Sequence, residues 1–405
     1  LEVIELKPDE STNVHANKAQ SSLNITTGPL AKAVLFKQEQ KQYLLLAVHH
    51  LIIDGVSWRI LVEDLMQLLT SPKSMLPEKT SSYQAWINAR LIQANQVAFV
   101  DQALSYWEQV YQANPPFKEE SSELSKKAEM ATLENRLNAH LTDKLLRQSN
   151  QAYRTQINDL LLTALLKTFT QWLETDSITF TLEGHGREEI AAQIDISRTI
   201  GWFTSIYPVR LEFVEGTLSE QIKSVKEQLR KIPNKGVDYG LLRYQTKRGA
   251  ICLKDNETSI AFNYLGQFLN GQKEKSFLGS GNADVGMSVA PENLLPYKLS
   301  INLVVLDGQL VCMWHYRADL LSRSSVEKLM ASYIEALETI INHCSAQTSV
   351  KHTPSDFPIA ARSLPMSSAA APSGNWPACE VSLSASRSRR PRRLSTLWRW
   401  SHCVP

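Results

Sequence analysis

The sequence predicts an α/β protein of two lobes, followed by a C-terminal tail of different character. Segments with strand periodicity and segments with helix periodicity alternate up to about residue 360. A polar stretch at about 113–128 is typical of a surface connection between two halves. The length of 405 residues suits two or three domains, and a composition with 43% hydrophobic residues provides a large core.

The first predicted strand and helix follow one another directly. Residues 43–48 form a continuous apolar run, which predicts a strand buried on both faces. Residues 57–69 carry apolar side chains at helical spacing, so we expect a helix with Ser57 as its N-cap. A second helix is expected from Leu160 to Leu173. It leads into residues 177–182, where apolar and polar residues alternate as they do in a strand.

The last elements of the body carry strong local signals. Asp307-Gly308 lies between the apolar runs 301–306 and 309–316, which predicts a β-hairpin. A final helix is predicted to begin at a capping box formed by Ser324 and Glu327. Its apolar positions are Val326, Met330, Tyr333, Leu337 and Ile341.

Charge and composition exclude several classes of protein. The 43 Lys and Arg residues nearly balance the 41 Asp and Glu residues, so the net charge of +2 indicates neither a nucleic-acid partner nor a membrane partner. No apolar run approaches the roughly 20 residues that span a bilayer. The five scattered cysteines predict neither a disulfide framework nor a metal site. We expect a cytoplasmic protein and, because the chain opens on Leu1, a fragment.

The tail after residue 360 differs from the body. Residues 361–405 hold seven Arg, no Lys, ten Ser and the single acid Glu380, whereas the first 360 residues carry a net charge of −4. A basic arm for nucleic acid is one interpretation. We favour a disordered extension or a reading-frame artefact, because composition alone carries no docking geometry. The tail is therefore excluded from the functional hypothesis.

The first candidate motif is the pair His49-His50, followed by Asp54-Gly55, where the first predicted strand ends. Functional residues often lie at strand ends, and an imidazole there can move a proton near neutral pH. Asp54 could orient a histidine, cap the helix or pair with an arginine. The alternative is that both histidines are hydrogen-bonded core or turn residues.

The second candidate motif is the run from Glu183 to Glu188, Glu-Gly-His-Gly-Arg-Glu, at the end of another predicted strand. Its glycines permit tight turns and close approach of a ligand. Glu183 suits general acid/base chemistry if burial raises its pKa. The alternative is a solvated turn whose charges pair among themselves.

Three further segments complete the set. Residues 198–208 combine aromatics with small hydroxyls, which suits either a cavity wall or a packed strand. Residues 233–240 are typical of a loop, and residues 262–268 of a strand.

Taken together and in order, these segments resemble the epimerization domains of nonribosomal peptide synthetases, members of the condensation-domain superfamily. The string HHLIIDGVSW is shared across the superfamily, whereas EGHGRE, RTIGWFTSIYP and FNYLGQF are similar to the epimerization branch. The resemblance covers nearly all of residues 1–357. The opening motif and first strands of the family are missing from this sequence.

The resemblance implies a V-shaped pair of lobes, each similar to chloramphenicol acetyltransferase, with a tunnel between them. The N-terminal lobe would be residues 1–128, incomplete at its start; the C-terminal lobe would be 129–357, and the tail 358–405. The substrate would be an aminoacyl or peptidyl thioester on the phosphopantetheine arm of an upstream peptidyl carrier domain. A condensation domain would follow downstream. No cofactor or metal of its own is implied.

The resemblance also assigns roles. His50 and Glu183 would be the acid/base pair that moves the α-proton, and Tyr207 a third candidate as proton donor or enolate stabiliser. Independently of the resemblance, we expect Asp54 to be structural and to pair with Arg198 or His49. The complete supporting set is His49, Asp54, Gly55, His185, Arg187, Arg198 and Asn263.

The sequence leaves two rival functions open. A condensation domain would form a peptide bond with His50 as its key residue and would not depend on Glu183. A module that only docks carrier domains would have no catalytic activity.

Overall fold

The computed structural model describes residues 1–39, 41–110, 117, 119, 130–190, 193–253, 258–268, 285–287, 289–290, 293 and 296–357. The predicted tail and most of the predicted connection at 113–128 lie outside the described residues. Two β-sheets organise the described part of the chain, one formed by strands between residues 2 and 48 and one by strands between residues 130 and 317.

The N-terminal sheet has three strands in the order β1 (Glu2–Glu5), β2 (Ala31–Gln38), β3 (Lys41–Val48). Strand β1 is parallel to β2, and β3 is antiparallel to it. Helix α1 (Asn13–Ser21) packs on this sheet, where its Ala19 joins a small core with Val34 and Phe36.

The prediction that residues 43–48 are buried on both faces is wrong. Strand β3 lies at one edge of the described N-terminal sheet, and along it Ala47 is buried while Leu44 is 37% exposed. An apolar run of this kind predicts a strand, but how deeply the strand is buried depends on which other elements cover it.

Three helices follow β3: α2 (Gly55–Thr70), α3 (Tyr83–Ala94) and α4 (Val97–Val110). The predicted Ser57 N-cap is wrong. Asp54 caps α2 instead, and its carboxylate accepts the backbone N–H of Ser57 at 2.7 Å. Helix α4 buries Leu104 and Trp107 in the core of the C-terminal sheet, so the helix packs across the boundary drawn from the sequence at residue 128.

The C-terminal sheet has six strands in the order β4-β9-β8-β7-β5-β6. Their bounds are β4 (Met130–Leu137), β5 (Ser177–Gly184), β6 (Ser205–Glu212), β7 (Ile260–Phe268), β8 (Leu299–Leu306) and β9 (Gln309–Arg317). Strand β7 is parallel to both β5 and β8, and the other neighbours are antiparallel. The predicted hairpin is confirmed: Asp307 and Gly308 join β8 to β9 with φ of 48° and 77°, values that the tight turn requires.

Six helices accompany this sheet: α5 (Ala139–Arg147), α6 (Ile157–Leu173), α7 (Leu218–Arg230), α8 (Asp238–Gln245), α9 (Lys247–Cys252) and α10 (Arg323–Ser345). The expected helix at 160–173 is confirmed as α6, and the five predicted apolar positions of α10 are all buried. The capping box at Ser324 is wrong, because Ser322 caps α10 and Glu327 pairs with Arg323. Over the ranges described, no helix combines the length and apolarity needed to cross a bilayer.

The two faces of the C-terminal sheet differ in polarity. One face forms the main core with α6 and α10. Because side chains alternate along a strand, the intervening positions of β5, β7 and β8 share the other face. Beside the end of β5, this other face carries polar side chains from all three strands: Thr181, Glu183, Asn263, Ser300 and Asn302.

Candidate functional site

The turn after β3 positions the two histidines. The Nδ1 atom of His49 accepts the backbone N–H of Leu51 at 3.2 Å and thereby caps a short 3₁₀ turn, His50–Ile52. His50 is partly buried on this turn and packs near the Trp202 ring, with 5.8 Å between ring centroids. His49 therefore shapes the turn, and His50 faces a residue of the other candidate segments.

Asp54 is the centre of a buried network. It is 2% exposed, and besides Ser57 it accepts hydrogen bonds from Arg187 Nη2 at 3.0 Å and from the backbone N–H of Phe203 at 3.1 Å. The predicted pairing of Asp54 with Arg198 or His49 is wrong, because its ionic partner is Arg187. Arg198 pairs with Asp64 on α2 instead.

Arg187 ties the strand end of β5 to helix α2. Its Nη1 atom donates to the carbonyls of Ile196 and Thr199, both at 2.9 Å, while Nη2 also donates to the Ser57 hydroxyl at 2.9 Å. Its guanidinium carbon lies 4.1 Å above the centre of the Phe203 ring. Because both terminal nitrogens of Arg187 are held in this way, we assign it a structural role, that of positioning its loop.

The segment around Trp202 docks on the first turn of α2. The Ser57 hydroxyl accepts the N–H of Gly201 and donates to the carbonyl of the same residue, both at 3.0 Å. The carbonyl of Trp202 accepts the Tyr83 hydroxyl at 2.8 Å. Together with the Phe203 bond to Asp54, these contacts hold the segment rigidly beside His50.

Glu183 lies near the end of β5 in the wall of a narrow cavity of about 20 Å³, room for one water-sized group. Its Oε2 atom accepts the Asn263 side-chain N–H at 2.8 Å. Burial raises the pKa of Glu183 from 4.5 to about 7. A carboxyl with this pKa exchanges protons readily at neutral pH.

Tyr207 does not share the face of Glu183. Tyr207 pairs with Leu182 across β5 and β6, whereas Glu183 pairs with Ile206, and directly paired residues lie on the same face. The Tyr207 ring is 5% exposed and packs in the main core, 6.1 Å from the Trp107 ring. Burial raises its pKa above the usual range. Tyr207 therefore lies on the strand next to Glu183, but its ring packs in the core, on the other face of the sheet.

The remaining predicted residues lie around this centre. His185 is exposed; its Nδ1 atom accepts the backbone N–H of Arg187 at 3.0 Å, and its Nε2 atom lies 3.3 Å from Glu188. Gly55 is exposed as the first residue of α2. His185 thus lies in the turn after β5, and Gly55 begins the helix that Asp54 caps.

Sequence reasoning missed part of the cavity wall. Tyr297, Ser300 and Asn302 line the same cavity as Glu183, and burial raises the pKa of Tyr297. The polar positions that interrupt the apolar run of β8 are a signal that could have identified Ser300 and Asn302. In the parts of the chain that the structure describes, no three His, Cys, Asp or Glu side chains come together as metal ligands would.

Comparisons with known proteins identify the family. Residues 1–360 match the sequence profile of the condensation domain. Surfactin synthase subunit 2 of Bacillus subtilis (strain 168) is 40% identical over 348 residues, and tyrocidine synthase 1 of Brevibacillus parabrevis is 38% identical over 374 residues. The matches cover 84% and 87% of this chain but only 10% and 34% of those two proteins.

Solved structures share the fold. The epimerization domain from the third module of tyrocidine synthetase B is 33% identical with a TM-score of 0.76, covering 85% of this chain and 80% of that one. The condensation domain from the Monacolin K polyketide synthase is 16% identical with a TM-score of 0.63, covering the same shares. The chain therefore has the mixed α/β fold of chloramphenicol acetyltransferase-like lobes and belongs to the condensation-domain superfamily of nonribosomal peptide synthetases.

Proposed function

We propose that this domain epimerizes the α-carbon of an aminoacyl or peptidyl thioester. The substrate is carried on the phosphopantetheine arm of an upstream peptidyl carrier domain, and the product passes to a downstream condensation domain. The thioester carbonyl acidifies the α-hydrogen and accepts the resulting charge as an enolate. The reaction then requires removal of a proton on one face and its return on the other.

The observation that carries this proposal is the state of Glu183. Its carboxyl is held by Asn263 in the wall of a cavity, and burial raises its pKa to about 7. A group whose pKa matches the working pH is the efficient one for taking and returning protons. A peptide-bond-forming domain has no need of such a carboxyl at this position.

His50 is the proposed second group. It is supplied by the N-terminal lobe, on a turn fixed by His49, while Glu183 is supplied by a strand of the C-terminal lobe. Two groups from opposite lobes suit a planar enolate that must be approached from both faces. Each group would act as base in one direction of the reversible reaction and as acid in the other.

The similarity to a solved epimerization domain supports the same proposal. That domain is 33% identical to this chain, whereas the Monacolin K condensation domain is 16% identical and informs only the fold. Glu183 and its partner Asn263 also belong to EGHGRE and FNYLGQF, two of the strings that resemble the epimerization branch, which supports the proposal.

The proposal is tested by α-hydrogen exchange. A carrier protein loaded with an L-aminoacyl thioester is incubated with the domain in deuterated buffer, and the hydrolysed amino acid is analysed for deuterium and chirality. We expect wild type to introduce deuterium and produce the D-isomer. His50→Gln and Glu183→Gln should each slow exchange by about 100-fold or more, as loss of an acid/base group does.

Glu189→Gln is the matched control, because Glu189 is an exposed carboxylate in the same loop. It should exchange at the wild-type rate. Absence of exchange in wild type, together with a new amide when an amine-bearing carrier is added, would indicate a condensation domain. Unchanged exchange in Glu183→Gln would refute the assigned role of Glu183.

A further inference from the structure

Two ring nitrogens close to the proposed site lack a protein partner. The Nδ1 atom of His50 and the Nε1 atom of Trp202 are buried, and neither has a hydrogen-bond partner among the residues that the structure describes. Their rings lie 5.8 Å apart, centroid to centroid, and are tilted by 57°. Buried polar atoms are normally hydrogen-bonded, so an unpaired one beside a functional histidine points to a partner supplied by the substrate.

The backbone that carries Trp202 is fixed on both sides. Gly201 is bonded through its N–H and its carbonyl to the Ser57 hydroxyl, and Phe203 donates its N–H to Asp54. The Trp202 carbonyl accepts the Tyr83 hydroxyl. The indole is therefore attached to a rigid, preorganised segment, as a group that must hold a reacting atom should be.

Three other indoles differ from Trp202 in their surroundings. The Nε1 atoms of Trp86, Trp107 and Trp314 also lack a partner in the described structure, but these side chains are 8%, 0% and 0% exposed and pack within apolar clusters. Trp202 is only partly buried as a residue, and its neighbour is His50. Of these four, Trp202 is the one positioned beside the proposed chemistry.

We propose that Trp202 contacts the substrate and that its indole N–H donates a hydrogen bond to the carbonyl oxygen of the carrier-bound thioester. This inference rests on the proposed function. When His50 or Glu183 takes the α-proton, the C–H electron pair forms a double bond between the α-carbon and the carbonyl carbon, and the π electrons of the carbonyl move to its oxygen, which becomes negative. When the α-carbon is protonated on its other face, the charge leaves the oxygen again.

An indole suits this task because its nitrogen only donates and stays protonated throughout. It stabilises the developing charge without competing with His50 or Glu183 for the proton. Fixed donors aimed at a developing oxyanion are among the largest contributions to catalysis. The cost of leaving the indole unpaired is then removed when the substrate binds.

The first test is Trp202→Phe, which keeps an aromatic ring and removes the N–H. We expect α-deuterium exchange to slow by about 10- to 100-fold, with the apparent carrier affinity little changed. Trp86→Phe is the matched control, because it also removes an unpaired buried N–H from the same aromatic neighbourhood and should exchange within about twofold of wild type. Exchange within twofold of wild type in Trp202→Phe would overturn the proposal.

The second test does not depend on turnover. The ¹⁵N-labelled domain is titrated with a carrier whose aminoacyl-pantetheine is a ketone, with a methylene in place of the thioester sulfur. We expect the indole N–H resonance that is absent from Trp202→Phe to move downfield in wild type, while that of Trp86 stays in place.

A Trp202 resonance that stays in place at saturation overturns the contact. A resonance that moves in a domain that exchanges no deuterium refutes epimerization but supports the carbonyl contact. The two proposals therefore fail in distinguishable ways.

Discussion

Replacement of Asp54 by Ala should destabilise the domain more than any surface substitution. The Asp54 and Arg187 side chains are 2% and 7% exposed, so Asp54→Ala leaves the Arg187 charge buried without its anion. The change also unpairs the N–H groups of Ser57 and Phe203. Breaking a buried ion pair from one side costs about 3–5 kcal/mol, and we expect the free energy of unfolding to fall by about 4 kcal/mol.

Urea unfolding followed by circular dichroism measures this loss, with Arg198→Ala as the control. Arg198 also joins the C-terminal segment to α2, but its ion pair with Asp64 is partly exposed, at 27% and 26% of the two side chains. Exposed pairs contribute about 1 kcal/mol or less, so Arg198→Ala should be nearly neutral. Equal losses in Asp54→Ala and Arg198→Ala would refute the reasoning.

A double variant separates the charge from the helix cap. Arg187→Met in the Asp54→Ala background removes the uncompensated charge and keeps an apolar chain of similar length. Because an uncompensated charge accounts for much of the loss, the double variant should be more stable than Asp54→Ala alone. A double variant that is less stable than both single variants would show that hydrogen bonding, and not charge, dominates.

Four further predictions follow from the site and its surroundings. The raised pKa of Glu183 means that the folded state holds more protons than the unfolded state between about pH 4.5 and pH 7. The free energy of unfolding of wild type should therefore fall as the pH rises through that window. At pH 8 the free energy of unfolding of Glu183→Gln should be higher than that of wild type by up to about 3 kcal/mol; the same dependence on pH in both proteins would contradict this. Asn263→Ala removes the hydrogen bond that favours the ionised form of Glu183, so the inflection near pH 7 in the pH profile of the exchange rate should move up by about one pH unit. A downward shift would refute the assignment of that inflection to Glu183. Gly236→Ala should lower the free energy of unfolding by about 2 kcal/mol or more, because φ is +82° and the new Cβ would stand 2.2 Å from the Tyr207 ring, whereas Gly240→Ala meets open space in a helix and should be neutral or stabilising. Tyr207→Phe should keep α-deuterium exchange within about threefold of wild type, because its ring packs in the core face, and a 100-fold loss would restore it as a proton donor.

Local features of the fold were predictable from the sequence because their causes are local. Asp307-Gly308 supplies the positive φ values that a tight hairpin needs, and the spacing of Val326 to Ile341 fixes which face of α10 is buried. The predicted N-caps lie two or three residues after the observed ones, because Asp54 and Ser57, or Ser322 and Ser324, are equally suitable as caps by residue type. The choice between them depends on backbone angles.

Features that depend on distant partners were not predictable. Asp54 and Arg187 are 133 positions apart, and nothing near Asp54 distinguishes Arg187 from Arg198 as its partner. The exposure of β3 depends on its place at the edge of the sheet, and the face of Tyr207 depends on its register with Leu182. The position of Glu183 at a strand end was predicted, but its bond to Asn263 arises from the parallel pairing of β5 with β7.

The central claim, epimerization of a carrier-bound thioester, is tested most directly by starting the reaction from each stereoisomer of the substrate. The domain is incubated in deuterated buffer with carrier-bound L-aminoacyl thioester and, separately, with the D-isomer. If the domain is an epimerase, both reactions reach the same ratio of L to D, each with one deuterium at the α-carbon. If both substrates keep their configuration and their α-hydrogen, the account is contradicted.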